Sequence, residues 1–306
     1  MAGSGYSKDD DISQTITPGV VPTTDKHPVP IVVLGKTGLR VSAIGLGCSR
    51  LGSTLTDFSQ AAAIGLVQHA VARGVTLFDT ADIYGQGDSE RRLGLALRGR
   101  RQDVVLVSKA GQRFTAAQRI VSLAKGPIRS ISRRLPALRN AVAAQRARQL
   151  PRDFSPDHLR RALEGSLLRL GTEWIDLFLL HSPDVADISQ GRALEMLERA
   201  RQQGLIRHWG ISCDDRATAE AALRVAGVSA LQLPLAILQP ELQEAAANAQ
   251  VGLLVREVFG ASSDQAPGWR SRRIADALAP TNAAVLLGTT RTAHLDEALA
   301  GLTVPA

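Results

Sequence analysis

Eight short apolar runs, each followed by a stretch with helical periodicity, constrain this chain more than any other feature. The runs are Ala43–Gly47, Thr76–Asp79, Val104–Ser108, Ile175–His181, Ile206–Ser212, Ala230–Leu233, Gly252–Val258 and Ala284–Gly288. Most are apolar at nearly every position, the pattern of parallel strands covered on both faces. Amphipathic stretches separate them. One runs from Ser59 to Arg73. Another spans Asp157 to Leu170, with Ser155 as N-cap and Pro156 in the first turn. A third covers Ser189 to Gln203 and stops at Gly204, a C′ glycine.

Eight strands alternating with helices predict an α/β chain closed into a (β/α)8 TIM barrel. The competing open doubly wound sheet announces itself with Gly-x-Gly-x-x-Gly after its first strand. Here the early glycine run is Gly45-Leu46-Gly47-Cys48-Ser49-Arg50, with no third glycine. Ahead of the barrel, Val32 to Ser42 contains two β-prone runs around Gly35-Lys36-Thr37-Gly38, which predicts an N-terminal β-hairpin. Residues 1–30 are rich in Ser, Thr, Asp, Pro and Gly and read as a disordered or loosely attached tail, so the barrel occupies 31–306.

Residues 110–154 break the alternation. They follow the third barrel strand and are far longer than a usual βα loop. Ile120, Leu123, Ile128, Ile131, Leu135, Leu138 and Val142 recur at helical spacing, and Pro127, Pro136 and Pro151 divide the segment. A long, Arg-rich helical insertion is expected, a lid over the face where barrels carry their sites, with its arginines mostly outward.

The charge of +7 suggests a polyanion partner, but much of the excess lies between Arg113 and Arg152, where aromatic residues are scarce. Without aromatic interleaving, no nucleic-acid surface is expected. No apolar run is long enough to span a bilayer. Asp9 to Asp11 and the lack of an apolar leader argue against secretion, which leaves the cytoplasm as the default. Cys48 and Cys213 end strands on opposite sides of the barrel, so no disulfide is expected, and no spacing suggests a metal site. Trp174 reads as core and Trp269 as a mouth residue, while His69, His158 and His208 read as structural or surface.

Four polar residues mark strand ends: Asp79, Tyr84 just beyond it, Lys109 and His181. In a barrel all four meet in one mouth. A phenol titrates near pH 10; a neighbouring ammonium favours its phenolate, and a carboxylate fixes that ammonium. Histidine orients a carbonyl or passes a proton. Such a group protonates a carbonyl oxygen or deprotonates an alcohol, and a nicotinamide or flavin must move the hydride.

These residues resemble the aldo-keto reductases over roughly 31–300. The likeness is carried by Gly38-Leu39-Arg40-Val41-Ser42, Gly45-Leu46-Gly47-Cys48, Asp79-Thr80-Ala81-Asp82-Ile83-Tyr84-Gly85, Lys109, Leu170-Gly171-Thr172, Asp176 to Asp184 and Gly288-Thr289-Thr290. The resemblance implies a catalytic tetrad of Asp79, Tyr84, Lys109 and His181, with Tyr84 as acid/base. It implies NADP or NAD, NADPH slightly favoured, and a small carbonyl or alcohol substrate, with a sugar among the candidates. For the cofactor it implies Cys48, Ser212 and Gln232, the latter two on the carboxamide, and Arg256 beside the nicotinamide. Gly288, Thr289 and Thr290 would hold phosphate, with Arg291, His294 and Glu297 on the adenosine side. The stretch between Val258 and Ala284 is short for the family. Weakened cofactor binding, with the barrel acting as a lyase, an isomerase or a non-catalytic regulatory module, is the alternative reading.

Overall fold

The computed structural model describes residues 29–52, 58–113, 150–260 and 268–302. The expected tail, but for residues 29 and 30, and the interior of the 110–154 insertion lie outside them. The eight runs form parallel strands: β3 (Ile44–Gly47), β4 (Leu77–Asp79), β5 (Val105–Ala110), β6 (Ile175–His181), β7 (Ile206–Ser212), β8 (Ala230–Pro234), β9 (Gly252–Arg256) and β10 (Ala283–Leu287). They close in the order β10-β3-β4-β5-β6-β7-β8-β9. Outside lie α1 (Gln60–Ala72), α2 (Asp88–Ala96), α3 (Pro156–Leu170), α4 (Val185–Ser189), α5 (Arg192–Gln202), α6 (Arg216–Leu223), α7 (Pro240–Asn248), α8 (Trp269–Leu278) and α9 (Thr292–Ala300).

Side chains of a strand alternate between faces, and this period of two sorts the barrel. Ile44, Leu46, Phe78, Leu106, Phe178, Leu180, Ile211 and Leu253 point outward into a core shared with the helices. Leu77, Val107, Leu177, Leu179, Ala230, Leu254, Ala284 and Leu286 fill the barrel itself. The interior is tight enough that two inward positions must be glycine. A Cβ at Gly45 would strike the Leu77 side chain, and one at Gly210 would strike the Ala230 carbonyl.

The antiparallel hairpin of β1 (Ile31–Val33) and β2 (Arg40–Ser42) closes the N-terminal end. Leu34 joins the inner cluster as a plug. Gly35, at φ +50°, lies against the backbone of Gln250 to Gly252, and the Lys36 amide donates to the Gln250 carbonyl at 2.7 Å. With that end sealed, polar side chains gather at the other.

Two expectations change. The helix expected over 189–203 starts later, as α5 (Arg192–Gln202), because Gly191 at φ +73° separates it from α4, whose last residue is Ser189; Gly204 does follow the end of α5, at φ +75°. Asp184 and Asp187 form a capping box on α4. Trp174 is not core. The buried Asp176 carboxylate draws in Arg101 at 2.8 Å and Arg207 at 3.0 Å, and their guanidinium carbons sit 4.4 and 4.9 Å from the indole centroid. Trp174 is thus a half-buried spacer between two cations. Ser155 occupies the N-cap position of α3, but its hydroxyl donates to Asp153 at 2.6 Å.

The described ends of the insertion are fastened together. Gln112 and Arg152 form an antiparallel bridge, and Arg113 meets Asp153 at 2.7 Å. Arg152 also lies 3.3 Å from Asp184, beside the mouth residue Ser182.

Two glycine substitutions test this packing. Gly210→Ala should lower unfolding stability by about 2 kcal/mol or more, because backbone cannot yield to the new methyl. Gly65→Ala, at an exposed position of α1 with nothing within 4 Å, should raise it by roughly 0.5–1 kcal/mol. Urea denaturation of both variants reads the difference, and equal effects would contradict the crowded interior.

Candidate active site

The inward alternation that fills the barrel continues to its C-terminal end. Leu77 leads to Asp79, Val107 to Lys109, Leu179 to His181, Gly210 to Ser212, Ala230 to Gln232 and Leu254 to Arg256. Around them opens a cavity of about 640 Å³ whose lining includes Gly47, Ser49, Arg50, Asp79, Tyr84, His181, Ser182, Ser212, Asp214, Gln232, Arg256 and Gly288. A larger groove of about 850 Å³, lined by Lys36, Glu198, His208 and Trp209 among others, lies away from these strand ends and holds none of the tetrad.

Lys109 is fully buried, and its ammonium donates to both Asp79 oxygens, at 2.7 and 2.9 Å, and to the Thr80 carbonyl at 2.7 Å. Burial pulls its pKa down, but Asp79 and then Tyr84 more than offset this, so Lys109 is held above its ordinary value. Gln232 donates to Asp79 at 2.8 Å and accepts from the Ser212 hydroxyl at 3.0 Å. Four side chains from the ends of β4, β5, β7 and β8 thus form one chain of hydrogen bonds.

Tyr84 stands over this pair, with its ring centroid 5.0 Å from the Lys109 ammonium and 5.7 Å from the His181 ring, edge to face. Its turn requires glycine. Gly85 is at φ +59°, and a Cβ there would collide with the Gly52 carbonyl. Burial pushes the Tyr84 phenol up, Lys109 pulls it down, and the net shift is upward. The expected lowering by Lys109 is therefore present but outweighed by desolvation. His181 is held well below its ordinary value by burial first, then by Lys109 and Arg256. Its ring is neutral at neutral pH, and its buried Nδ1 has no partner among the described residues.

The predicted cofactor residues divide. Ser212, Gln232, Arg256 and Gly288 line the cavity. Arg256 is engaged by Asp214, Glu257 and the Cys213 carbonyl. Thr289 is buried and bonded to the Arg291 backbone, while Thr290 is half-buried and Arg291 and His294 are exposed at the start of α9. Glu297 is paired with Arg270 at 2.8 Å. Cys48 is not brought into the mouth: it falls on the outward alternation, in the barrel–helix core, and burial raises its thiol pKa. Trp269 packs edge-on against Phe259, which itself lines the cavity. His69 pairs with Asp296 at 3.0 Å.

Sequence reasoning missed two acids beside the tetrad. Glu90 is fully buried and accepts from the Ser108 hydroxyl at 2.7 Å and from Arg169 at 2.6 Å. Asp82 has a buried, unpartnered Oδ1; burial first, then Glu90, pushes its carboxyl up to about 8. Only their positions, Asp82 within the Tyr84 motif and Glu90 shortly after it, could have singled them out.

Asp82 makes stability depend on pH. Its folded-state pKa lies above the unfolded one, so the folded state holds the proton more tightly. Its contribution is greatest below the unfolded value near 4 and is lost as pH rises towards 8. Asp82→Asn should therefore flatten the fall in Tm between pH 5 and 9, read by differential scanning calorimetry. Parallel curves for the two proteins would rule this linkage out.

Known proteins share the family pattern and the barrel. The model of the Aldo/keto reductase family matches residues 43–299. The uncharacterized oxidoreductase YqkF of Bacillus subtilis is 30% identical over 179 residues, which span 58% of this chain and 47% of that protein. The chain therefore matches about half the length of that relative. A Pseudomonas aeruginosa structure assigned to the aldo-keto reductases is 28% identical, with a TM-score of 0.70 and coverage of 89% of this chain and 93% of that one. A Klebsiella pneumoniae aldo-keto reductase solved with NADP and acetate is 22% identical, with a TM-score of 0.62 and coverage of 89% and 90%. With the family model covering most of its length and the same barrel beneath its site, the chain belongs to the aldo/keto reductase family.

Proposed function

We propose that the chain is an NAD(P)-dependent oxidoreductase that interconverts a carbonyl and an alcohol, with Tyr84 as general acid/base. Its substrates are small aldehydes, ketones or aldoses. The observation that carries this reading is the phenol of Tyr84 placed over the buried Lys109–Asp79 pair on the floor of an open cavity.

The cavity suits a nicotinamide cofactor. A Cβ at Gly288 would meet nothing within 4 Å, so the wall there is open. Ser212 and Gln232 supply the hydroxyl and amide that match a carboxamide. Arg256 would lie beside the nicotinamide. The Gly288-Thr289-Thr290 turn leads into α9, whose N-terminal amides suit phosphate. Arg291, His294 and Glu297 would take the adenosine side. When bound, the cofactor supplies hydride to a carbonyl carbon or accepts it from an alcohol.

This chain's own residues handle the proton. Desolvation keeps Tyr84 protonated at neutral pH, so a proton donor is present before any carbonyl is reduced. As Tyr84 gives its proton to the carbonyl oxygen, the phenolate left behind is stabilised by Lys109. Asp79 holds Lys109 in place and balances its charge. The neutral His181 ring orients the carbonyl oxygen by hydrogen bonding, without competing as an acid. In the reverse direction Tyr84 must first ionise, so the described geometry favours reduction near neutral pH.

Tyr84→Phe removes only the hydroxyl. Turnover of aldehydes should fall at least a hundredfold, while quenching of tryptophan fluorescence by NADPH persists. Unchanged turnover would remove Tyr84 from the reaction. Arg291 and His294 are the exposed cations at the start of α9, so NADPH should bind only about tenfold more tightly than NADH, a difference of about 1.4 kcal/mol. A fluorescence titration showing a thousandfold preference for either would mean that another cation reads the 2′-phosphate.

A further inference from the structure

Two consecutive residues at the start of α2, Ser89 and Glu90, are fully buried, although charged and hydroxyl side chains in the first turn of a helix ordinarily face water. Neither lines the mouth. Their bonds run instead to the ends of three neighbouring strands, β3, β4 and β5, of which β4 leads to Asp79 and Tyr84 and β5 carries Lys109.

The Ser89 hydroxyl donates to the Cys48 carbonyl at 2.7 Å. A hydroxyl has one hydrogen, so in its 2.9 Å contact with Thr80 it must accept, and the Thr80 hydroxyl donates. Cys48 follows β3, and its amide in turn donates to the Asp79 carbonyl at 2.7 Å. Thr80 follows β4, and its carbonyl takes a hydrogen bond from Lys109 at 2.7 Å. Ser89 therefore ties the end of β3 to the end of β4, just beyond Asp79. Glu90 does the same for the next strand. It accepts from Ser108, the residue immediately before Lys109 on β5, and its charge is matched by Arg169 from α3. Ser166 accepts from the same guanidinium at 3.2 Å.

A buried carboxylate and a buried hydroxyl are costly unless every bond is made. What the bonds add is a fixed register of β4 against β5 at the level of the ammonium.

We propose that Ser89 and Glu90 are positioning residues for this site, setting the distance between Lys109 and Tyr84 through Thr80 and Ser108. The proposal rests on the reading of Tyr84 as the acid/base, but its test reads geometry rather than turnover. The chain has only two tyrosines, Tyr6 and Tyr84. A Tyr6→Phe protein labelled with 3-fluorotyrosine therefore gives a single resonance, from Tyr84, in 19F NMR. The groups that face this phenol are Lys109, Asp79, Arg256 and His181. Lys109→Met in that background sets the full upward shift of the phenol midpoint on losing the cation.

Ser89→Ala and Ser108→Ala each delete one oxygen, and either suffices if the other fails to fold. The midpoint should rise by about half a unit or more in each, a fraction of the Lys109→Met shift. NADPH affinity, read by tryptophan fluorescence, should stay within twofold. A midpoint that does not move in either variant overturns the proposal, as does a shift accompanied by an equal loss of NADPH affinity, which would report general loosening. No shift in Lys109→Met also overturns it. If Tyr84→Phe keeps its turnover while the midpoints move as expected, the functional reading fails and the positioning stands.

Discussion

The ion pair between Lys109 and Asp79 is the constraint on which the rest of the site depends. An ammonium with no exposure to water is tolerated only when its charge is opposed and its donors are used. Here both carboxylate oxygens and the Thr80 carbonyl accept from it, and Gln232 donates to the carboxylate from across the barrel. Removing either partner leaves a stranded charge, which typically costs about 3–5 kcal/mol. The pair fixes the ends of β4 and β5 and reaches β8, so the fold and the chemistry share one set of bonds.

Burial then sets the proton states around the pair. It raises Tyr84 and lowers His181, so both rings are neutral near pH 7. Lys109 and Asp79 cancel each other, while Arg256 is countered by Asp214 and Glu257. The floor of the mouth therefore holds strong local dipoles with little net charge. That suits an uncharged carbonyl, which gains polarisation without meeting a monopole.

Much of this was legible in the sequence because strand ends carry their own parity. The inward series 77–79, 107–109 and 179–181 places three of the tetrad in one mouth, and the eight apolar runs foretold the barrel. The same parity places Cys48 and Cys213 outward, which the motif alone did not convey. Gly191, the break between α4 and α5, was visible but outvoted by periodicity on either side. The sign of the Tyr84 shift was not legible, since desolvation depends on neighbours from distant strands. Glu90 looks like any acid in a first helical turn, and Asp82 like any turn residue, until packing removes their water. Trp174 looked like core because nothing local announces that Asp176 gathers two arginines around it.

The fastening at the base of the insertion has a consequence for how this protein could diversify. Gln112 and Arg152 bridge, and Arg113 meets Asp153, so the chain that departs after β5 is already brought back to its starting point before residues 114–149 are considered. Loop closure grows only with the logarithm of length, by about 0.6 kcal/mol for each doubling. A stapled neck absorbs that term locally. Segments of quite different length and composition can therefore be exchanged above it at little cost to the barrel, and the neck sits beside Ser182 at the rim. Sequence change in that segment could proceed while the ends of β4, β5 and β6 keep their register.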